Sequence, residues 1–242
     1  MNDGDALLAT SDIRASYGHI RALDGVDLSV AARRITAVVG ANGAGKSTLL
    51  RVLMGSHKPS TGRVEYADSD ITKWTPQRRV AAGLVLVPEG RGIILGMTVA
   101  DNLELGIDAA RSGGREKTFT PEQIFSRFPV LADRRRQAAG LLSGGEQQML
   151  AVGRALLAQP EVLMLDEPSL GLSPKITQEL MGLLASLRDD GLTILLVEQN
   201  VRQAMKIADS YYLLETGRVA GSGDPGHASE DEHIASVFLG GT

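Results

Sequence analysis

Residues Gly40-Ala41-Asn42-Gly43-Ala44-Gly45-Lys46-Ser47 fit the pattern G-x-x-x-x-G-K-[ST]. Glycines at this spacing let the backbone curl until successive N–H groups converge on phosphate oxygens, and a following helix N-terminus favours the same anion. Lys46 would reach the β- and γ-phosphates, and the Ser47 hydroxyl would ligate Mg²⁺. Together with Thr48, the whole run Gly40–Ser47 is expected to enclose a nucleoside triphosphate; the bland reading is an ordinary glycine turn. A second feature, Val162-Leu163-Met164-Leu165-Asp166-Glu167, is an apolar run ending in two carboxylates. On its own it could be a solvated strand end. Downstream of a phosphate loop it reads as an Mg²⁺ ligand, Asp166, followed by Glu167 to orient and polarise an attacking water. Hydrolysis is then favoured over nucleotide binding alone.

Leu142-Ser143-Gly144-Gly145-Glu146-Gln147-Gln148 is the third feature. Ser143 and Glu146 have the spacing of a capping box that opens a helix running to about Ala158. Capping does not explain two glycines in a first turn, where each costs up to about 1 kcal/mol relative to alanine. Without side chains there, backbone N–H groups and the Ser143 hydroxyl could approach an anion. The chain already has one phosphate loop, so this second receptor would serve a nucleotide held by another subunit.

These residues need a scaffold that delivers them to one edge. Strand-like stretches are expected at Leu8–Tyr17, Leu23–Val30, Ile35–Val39, Leu84–Val87, Val162–Leu165, Leu192–Val197 and Tyr211–Leu214. Helical spacing lies between most of them, including Ser47–Met54, which reads as βαβ units around a parallel sheet. From about 74 to 158 the pattern is mainly helical, with starts at Thr98 and Thr120; Thr120-Pro121-Glu122-Gln123 is a capping box with proline at the first helical position. Arg111–Lys117 reads as an exposed loop, Arg134-Arg135-Arg136 as a solvated helix face, and Trp74 as packing within the helical insertion. Gly221–Glu232 is expected to form a surface connection before a last short helix.

Composition bounds the function. With 242 residues, 43% hydrophobic and a net charge of −4, the chain is neither disordered nor a basic nucleic-acid binder. The absence of cysteine excludes a disulfide framework and cysteine-ligated metal. No run approaches the ~18 apolar residues of a membrane span, and Met-Asn-Asp-Gly-Asp shows no signal-peptide pattern, so any membrane service is expected through partners. There are 28 glycines, without a collagen period; apart from those in the phosphate loop, in Gly144-Gly145 and at Gly171, most read as turns.

A phosphate loop, an LSGGEQQ segment and a strand ending Asp-Glu-Pro, in this order, resemble the ATP-binding subunit of an ABC transporter over almost the whole chain. The resemblance implies an α/β fold: a P-loop NTPase core of mostly parallel sheet with an N-terminal antiparallel β subdomain and a helical insertion subdomain. A single ATPase domain is expected over 7–239, its core at about 7–88 and 159–239 and the insertion at about 89–158. It implies ATP and Mg²⁺, with two such subunits, each ATP lying between one phosphate loop and Ser143, Gly144, Gly145 and Glu146 of the partner. It also implies that Tyr17 stacks on adenine, where a half-buried strand tyrosine is the bland reading. Ser169-Leu170-Gly171-Leu172 would touch the opposite subunit, although Gly171 also suits a turn before a helix starting at Ser173-Pro174.

Two positions depart from the family. Glu89, in Pro88-Glu89-Gly90-Arg91, stands where a glutamine usually binds Mg²⁺, and Gln199 stands where a histidine usually meets the γ-phosphate. A glutamine can donate a hydrogen bond there but cannot exchange a proton usefully. The metal set implied is Ser47, Glu89 and Asp166, and the catalytic pair Glu167 and Gln199. Pro-Glu-Gly-Arg with Val-Glu-Gln-Asn is most similar to subunits of branched-chain amino-acid importers, with importers of amides or urea and a low-turnover regulatory subunit as alternatives. Partners implied are a second ATP-binding subunit (a different chain or a second copy), two membrane permeases at the cytoplasmic face of a bacterial inner membrane, and indirectly a periplasmic binding protein. The docking surface would lie near Glu89–Met97, and no nucleic acid is expected.

Overall fold

The computed structural model describes residues 6–111, 113–114 and 118–230. The expected last helix, the domain end at Leu239 and part of the 111–117 loop lie outside the described residues.

Two sheets are present. The first is antiparallel, in the order β2 (Ile20–Ala31), β1 (Ala6–Tyr17), β4 (Thr61–Tyr66), β5 (Ser69–Asp70). The second has six strands, in the order β10 (Arg218–Gly223), β9 (Ser210–Glu215), β3 (Ile35–Val39), β8 (Thr193–Glu198), β7 (Val162–Asp166), β6 (Leu84–Val87). All its pairs are parallel except β10 with β9.

Strands β3, β7 and β8 are buried at every position, as their unbroken apolar runs require of parallel strands covered on both faces. Alternation sends Val162 and Met164 toward α1 (Lys46–Leu53) and the antiparallel sheet. Leu163 and Leu165 face the opposite core, shared with α6 (Gly144–Leu157) and α7 (Pro174–Asp189). Because β3, β7 and β8 run parallel, the loops after them leave the same sheet edge. That edge is where ligands bind in open parallel sheets.

Between β6 and β7 lie α3 (Val99–Arg111), α4 (Pro121–Arg127), α5 (Pro129–Asp133), a 3₁₀ turn at Ala139–Leu141, and α6. The expected capping boxes form: Thr120 with Gln123, and Ser143 with Glu146. Thr98 and Asp101 exchange similar bonds before α3.

Three expectations need correction. Trp74 packs on the core shared with the antiparallel sheet, beneath the Arg78 guanidinium at 3.9 Å, because α2 (Pro76–Ala82) turns toward that side. Arg134–Arg136 follow α5 in a turn, and Arg134 pairs with Glu146 at 3.3 Å. Gly221–Gly223 belong to β10, and only Pro225–Glu230, a 3₁₀ turn, follows before the described residues end.

Candidate functional site

The phosphate loop leaves β3 and closes at Gly45, the N-cap of α1, whose φ of 108° is a left-handed value that a side chain would strain. A Cβ there would also sit 2.6 Å from the Ala22 carbonyl, and one at Gly40 would sit 2.2 Å from the Leu214 carbonyl. These glycines are therefore fixed both by the curl of the loop and by backbone crossing behind it. Tyr17, Asn42, Gly43, Gly45, Lys46, Ser47, Thr48, Glu89 and Glu167 line an open cleft of about 380 Å³. A larger cleft, about 1020 Å³, lies among Arg33, Phe119, Arg127, Arg188 and Asp190 and holds none of the motif residues.

Lys46 Nζ donates to the carbonyls of Gly40 (2.8 Å) and Ala41 (3.0 Å) and lies 3.0 Å from Glu167 Oε1. The sequence placed Lys46 with phosphate and Glu167 with water; the fold also places the two against each other. Ser47 Oγ donates to Asp166 Oδ1 at 3.3 Å, joining the two expected metal ligands. Among the described residues no three His, Cys, Asp or Glu side chains gather as a self-contained metal site. One hydroxyl and one or two carboxylates instead suit a cation that completes its shell with water and phosphate oxygens, as Mg²⁺ does. Burial pushes the Asp166 carboxyl above the ordinary range despite the bond from Ser47, and the charges of Glu167 and Glu89 push the same way.

Glu167 has a positive φ of 45°, uncommon for a residue with a side chain. Its N–H donates to the Val197 carbonyl at 2.9 Å, so β8 holds this strained turn. Tyr17 is 41% exposed, with its hydroxyl accepting from Arg51 at 3.0 Å and its ring 4.4 Å from that of His57. Glu89 follows β6 and is exposed to the cleft. Gln199 is exposed just past β8 and is not among the cleft-lining residues.

Ser143, Gly144, Gly145 and Glu146 do not line this cleft either. They form the first turn of α6, and Gly145 has a packing reason the sequence did not reveal. A Cβ on Gly144 would meet the Arg91 guanidinium at 3.3 Å, and one on Gly145 would meet Ile176 at 2.9 Å. In the loop after Glu167, Gly171 has φ 73° with open space around it, so backbone conformation is what calls for glycine. Ser173 caps α7, with Pro174 in its first turn, as the turn reading requires.

One buried carboxylate beside the site was not foreseen. Glu198, at the end of β8, is 2% exposed. The signal was in the sequence, since Ile194–Glu198 is also an apolar run ending in a carboxylate, the pattern that singled out Asp166.

A family model described as ABC transporter matches residues 23–170. The chain is 38% identical over 235 residues to the high-affinity branched-chain amino acid transport ATP-binding protein BraG of Pseudomonas aeruginosa, covering 97% of this chain and 100% of that one. It is 39% identical over 236 residues to the probable branched-chain amino acid transport ATP-binding protein LivF of Archaeoglobus fulgidus, covering 97% and 99%. Among solved structures, the ADP conformation of an ATP-binding cassette of an ABC transporter is similar at TM-score 0.79 and 27% identity, covering 97% and 99%. With the α/β fold of a P-loop NTPase and relatives matched end to end, the chain belongs to the ABC transporter family of ATP-binding proteins.

Proposed function

We propose that this chain hydrolyses ATP to power an importer of branched-chain or other hydrophobic amino acids across a bacterial inner membrane. The carrying observation is that Lys46, Ser47, Asp166 and Glu167 meet at one sheet edge, with Lys46 Nζ and Glu167 Oε1 3.0 Å apart. The backbone from Gly40 to Thr48 would wrap the phosphates, with the Lys46 ammonium offsetting charge that builds on them during cleavage. Tyr17 would support the adenine, its ring already held by Arg51 and His57. Ser47, Asp166 and Glu89 would hold Mg²⁺, which would supply positive charge against the phosphates. Glu167 would orient the attacking water and accept its proton, and Gln199 would donate an amide hydrogen bond to the γ-phosphate.

Ser143, Gly144, Gly145 and Glu146 would meet the nucleotide of a second ATP-binding subunit, a different chain or another copy. The branched-chain cargo is supported by the names of the relatives matched over nearly their whole length. The transport relatives support work through two membrane permeases from the cytoplasmic face, with a periplasmic binding protein delivering solute; no described helix is long and apolar enough to cross a membrane. Ile94, Leu95 and Met97 are exposed in the expected docking segment, beside Leu141 at 71% exposure.

The decisive experiment is steady-state hydrolysis with Glu167→Gln. The turnover is expected to fall by about 10²-fold or more with the ATP KM little changed, because a water-activating group acts mainly in the transition state. Unchanged turnover places hydrolysis elsewhere. Gln199 favours the second reading, a low-turnover regulatory subunit. Glu167→Gln separates the two readings, and Gln199→His is its companion: altered turnover supports a phosphate contact at 199, and no effect counts against it.

A further inference from the structure

The segment after β7 carries both Glu167 and the loop Ser169–Leu172, and its backbone donors can be counted. Glu167 N–H donates to Val197 O at 2.9 Å, Pro168 has no N–H, and Ser169 N–H donates to Glu198 Oε1 at 3.0 Å. Both available donors at 167–169 therefore end on β8, one on its backbone and one on a side chain. The Glu198 carboxylate is 2% exposed, and hydrogen bonding from Ser169 and Asn200 favours its charged form. Its burial holds the carboxyl above the ordinary range, against the pull of those bonds. A buried carboxylate with no cation partner among the described residues is costly, and this one joins the loop after β7 to the turn after β8, two loops that both leave the nucleotide edge. One of those loops carries Gln199 and the other carries the exposed Leu170.

We propose that Glu198 is a positioning residue that clamps the Ser169–Leu172 loop to the Gln199 turn, so that the segment aimed at the γ-phosphate and the segment aimed at the partner subunit are set together. The inference rests on the ATPase reading above. Glu198 itself is not among the cleft-lining residues; it acts through the backbone of Ser169 and Asn200. Removing its carboxylate orphans a part-buried Ser169 N–H and leaves the 167–169 turn held by the Val197 carbonyl alone, and small misplacements of a water-orienting group cost turnover rather than affinity. Ala leaves neither acceptor. Gln keeps one acceptor oxygen but turns an NH₂ donor toward backbone donors, so an intermediate effect is expected.

The test uses the full chain purified with its membrane partners, comparing wild type, Glu198→Ala and Glu198→Gln. Steady-state ATP hydrolysis is measured together with amide hydrogen exchange. For Glu198→Ala, kcat is expected to fall about tenfold or more while the ATP KM moves less than about threefold. Exchange should quicken in peptides spanning 168–172 and 199–201 and stay unchanged at 40–48. For Glu198→Gln the same pattern is expected at about two- to fivefold in kcat, which decides the matter if the alanine variant does not fold. Wild-type kcat and exchange in the Gln variant would overturn the clamp. So would faster exchange spread equally over 40–48, which indicates general loosening. Glu167→Gln in the same assay keeps the two ideas apart. If it leaves turnover intact, the hydrolysis reading fails, while the exchange pattern still judges Glu198.

Discussion

Asp166 shows how one side chain carries opposed demands. Burial and the neighbouring charges of Glu167 and Glu89 hold its carboxyl above the ordinary range, even though Ser47 donates to it. A carboxyl that binds its proton more tightly in the folded chain adds stability only below its unfolded pKa. That contribution is lost as pH rises through the folded value, so at neutral pH the charge is a cost. Asp166→Asn should therefore raise the thermal midpoint measured without nucleotide, at roughly 2–4 °C per kcal/mol for a chain this size. The same variant should cut hydrolysis about 10²-fold or more, since the neutral amide binds Mg²⁺ poorly. A lowered midpoint would mean that the Ser47 bond outweighs burial. The phosphate-loop residues and both carboxylates were legible because their chemistry depends on short-range spacing. The Lys46–Glu167 contact was not, since one half opens α1 and the other follows β7, far apart in the chain.

Elements matter through what their ends and surfaces touch. Arg79 of α2 is fully buried and donates to the carbonyls of Val52 (2.8 Å), Leu53 (2.6 Å), Ile71 (2.7 Å) and Thr72 (3.1 Å). It thus caps the far end of α1, the helix whose N-terminus faces the phosphate site. Burial draws its pKa down to about 10, and the bonds go to carbonyls rather than to a carboxylate. Arg79→Met should cost about 2–4 kcal/mol in urea unfolding, since four acceptors lose a charged donor. Gly106 and Gly153 correct the reading of leftover glycines as turns. Both lie inside helices, where a Cβ would approach the Arg154 carbonyl to 2.2 Å and Ile124 to 2.9 Å respectively. Gly106→Ala should push α3 off α6 and destabilise by about 1–3 kcal/mol in the same assay. Strands β4, β5 and β10 went unread for a related reason: Thr61-Gly-Arg-Val-Glu-Tyr and Arg218-Val-Ala-Gly-Ser-Gly are short and polar, and pairing makes them strands.

At the scale of the molecule, the phosphate cleft and the first turn of α6 do not share a lining. Packing against Ile176 accounts for Gly145 within one chain, so that glycine does not by itself argue for a partner's nucleotide; the neighbour of Gly144 is the guanidinium end of Arg91, which can move aside. The pairing argument now rests on family membership and on the separate location of the two motifs. It predicts that hydrolysis per chain falls on dilution into the nanomolar range, measured with purified protein at saturating ATP; a flat rate would contradict a composite site. Leu95→Asp should weaken co-purification with membrane subunits while leaving the unfolding midpoint of the isolated chain unchanged, because Leu95 is 56% exposed.

The sequence by itself determined the reaction class, because a phosphate loop and a pair of carboxylates at a strand end are each written in a few consecutive residues. It also determined the buried strands β3, β7 and β8, whose apolar runs have no other use. Only the tertiary structure decided which groups meet. Strand order puts Val197 and Glu198 beside Glu167 and Ser169, and helix crossing makes Gly106 obligatory. Those contacts join residues far apart in the chain, so they depend on register and on the distance between elements, which no local pattern encodes.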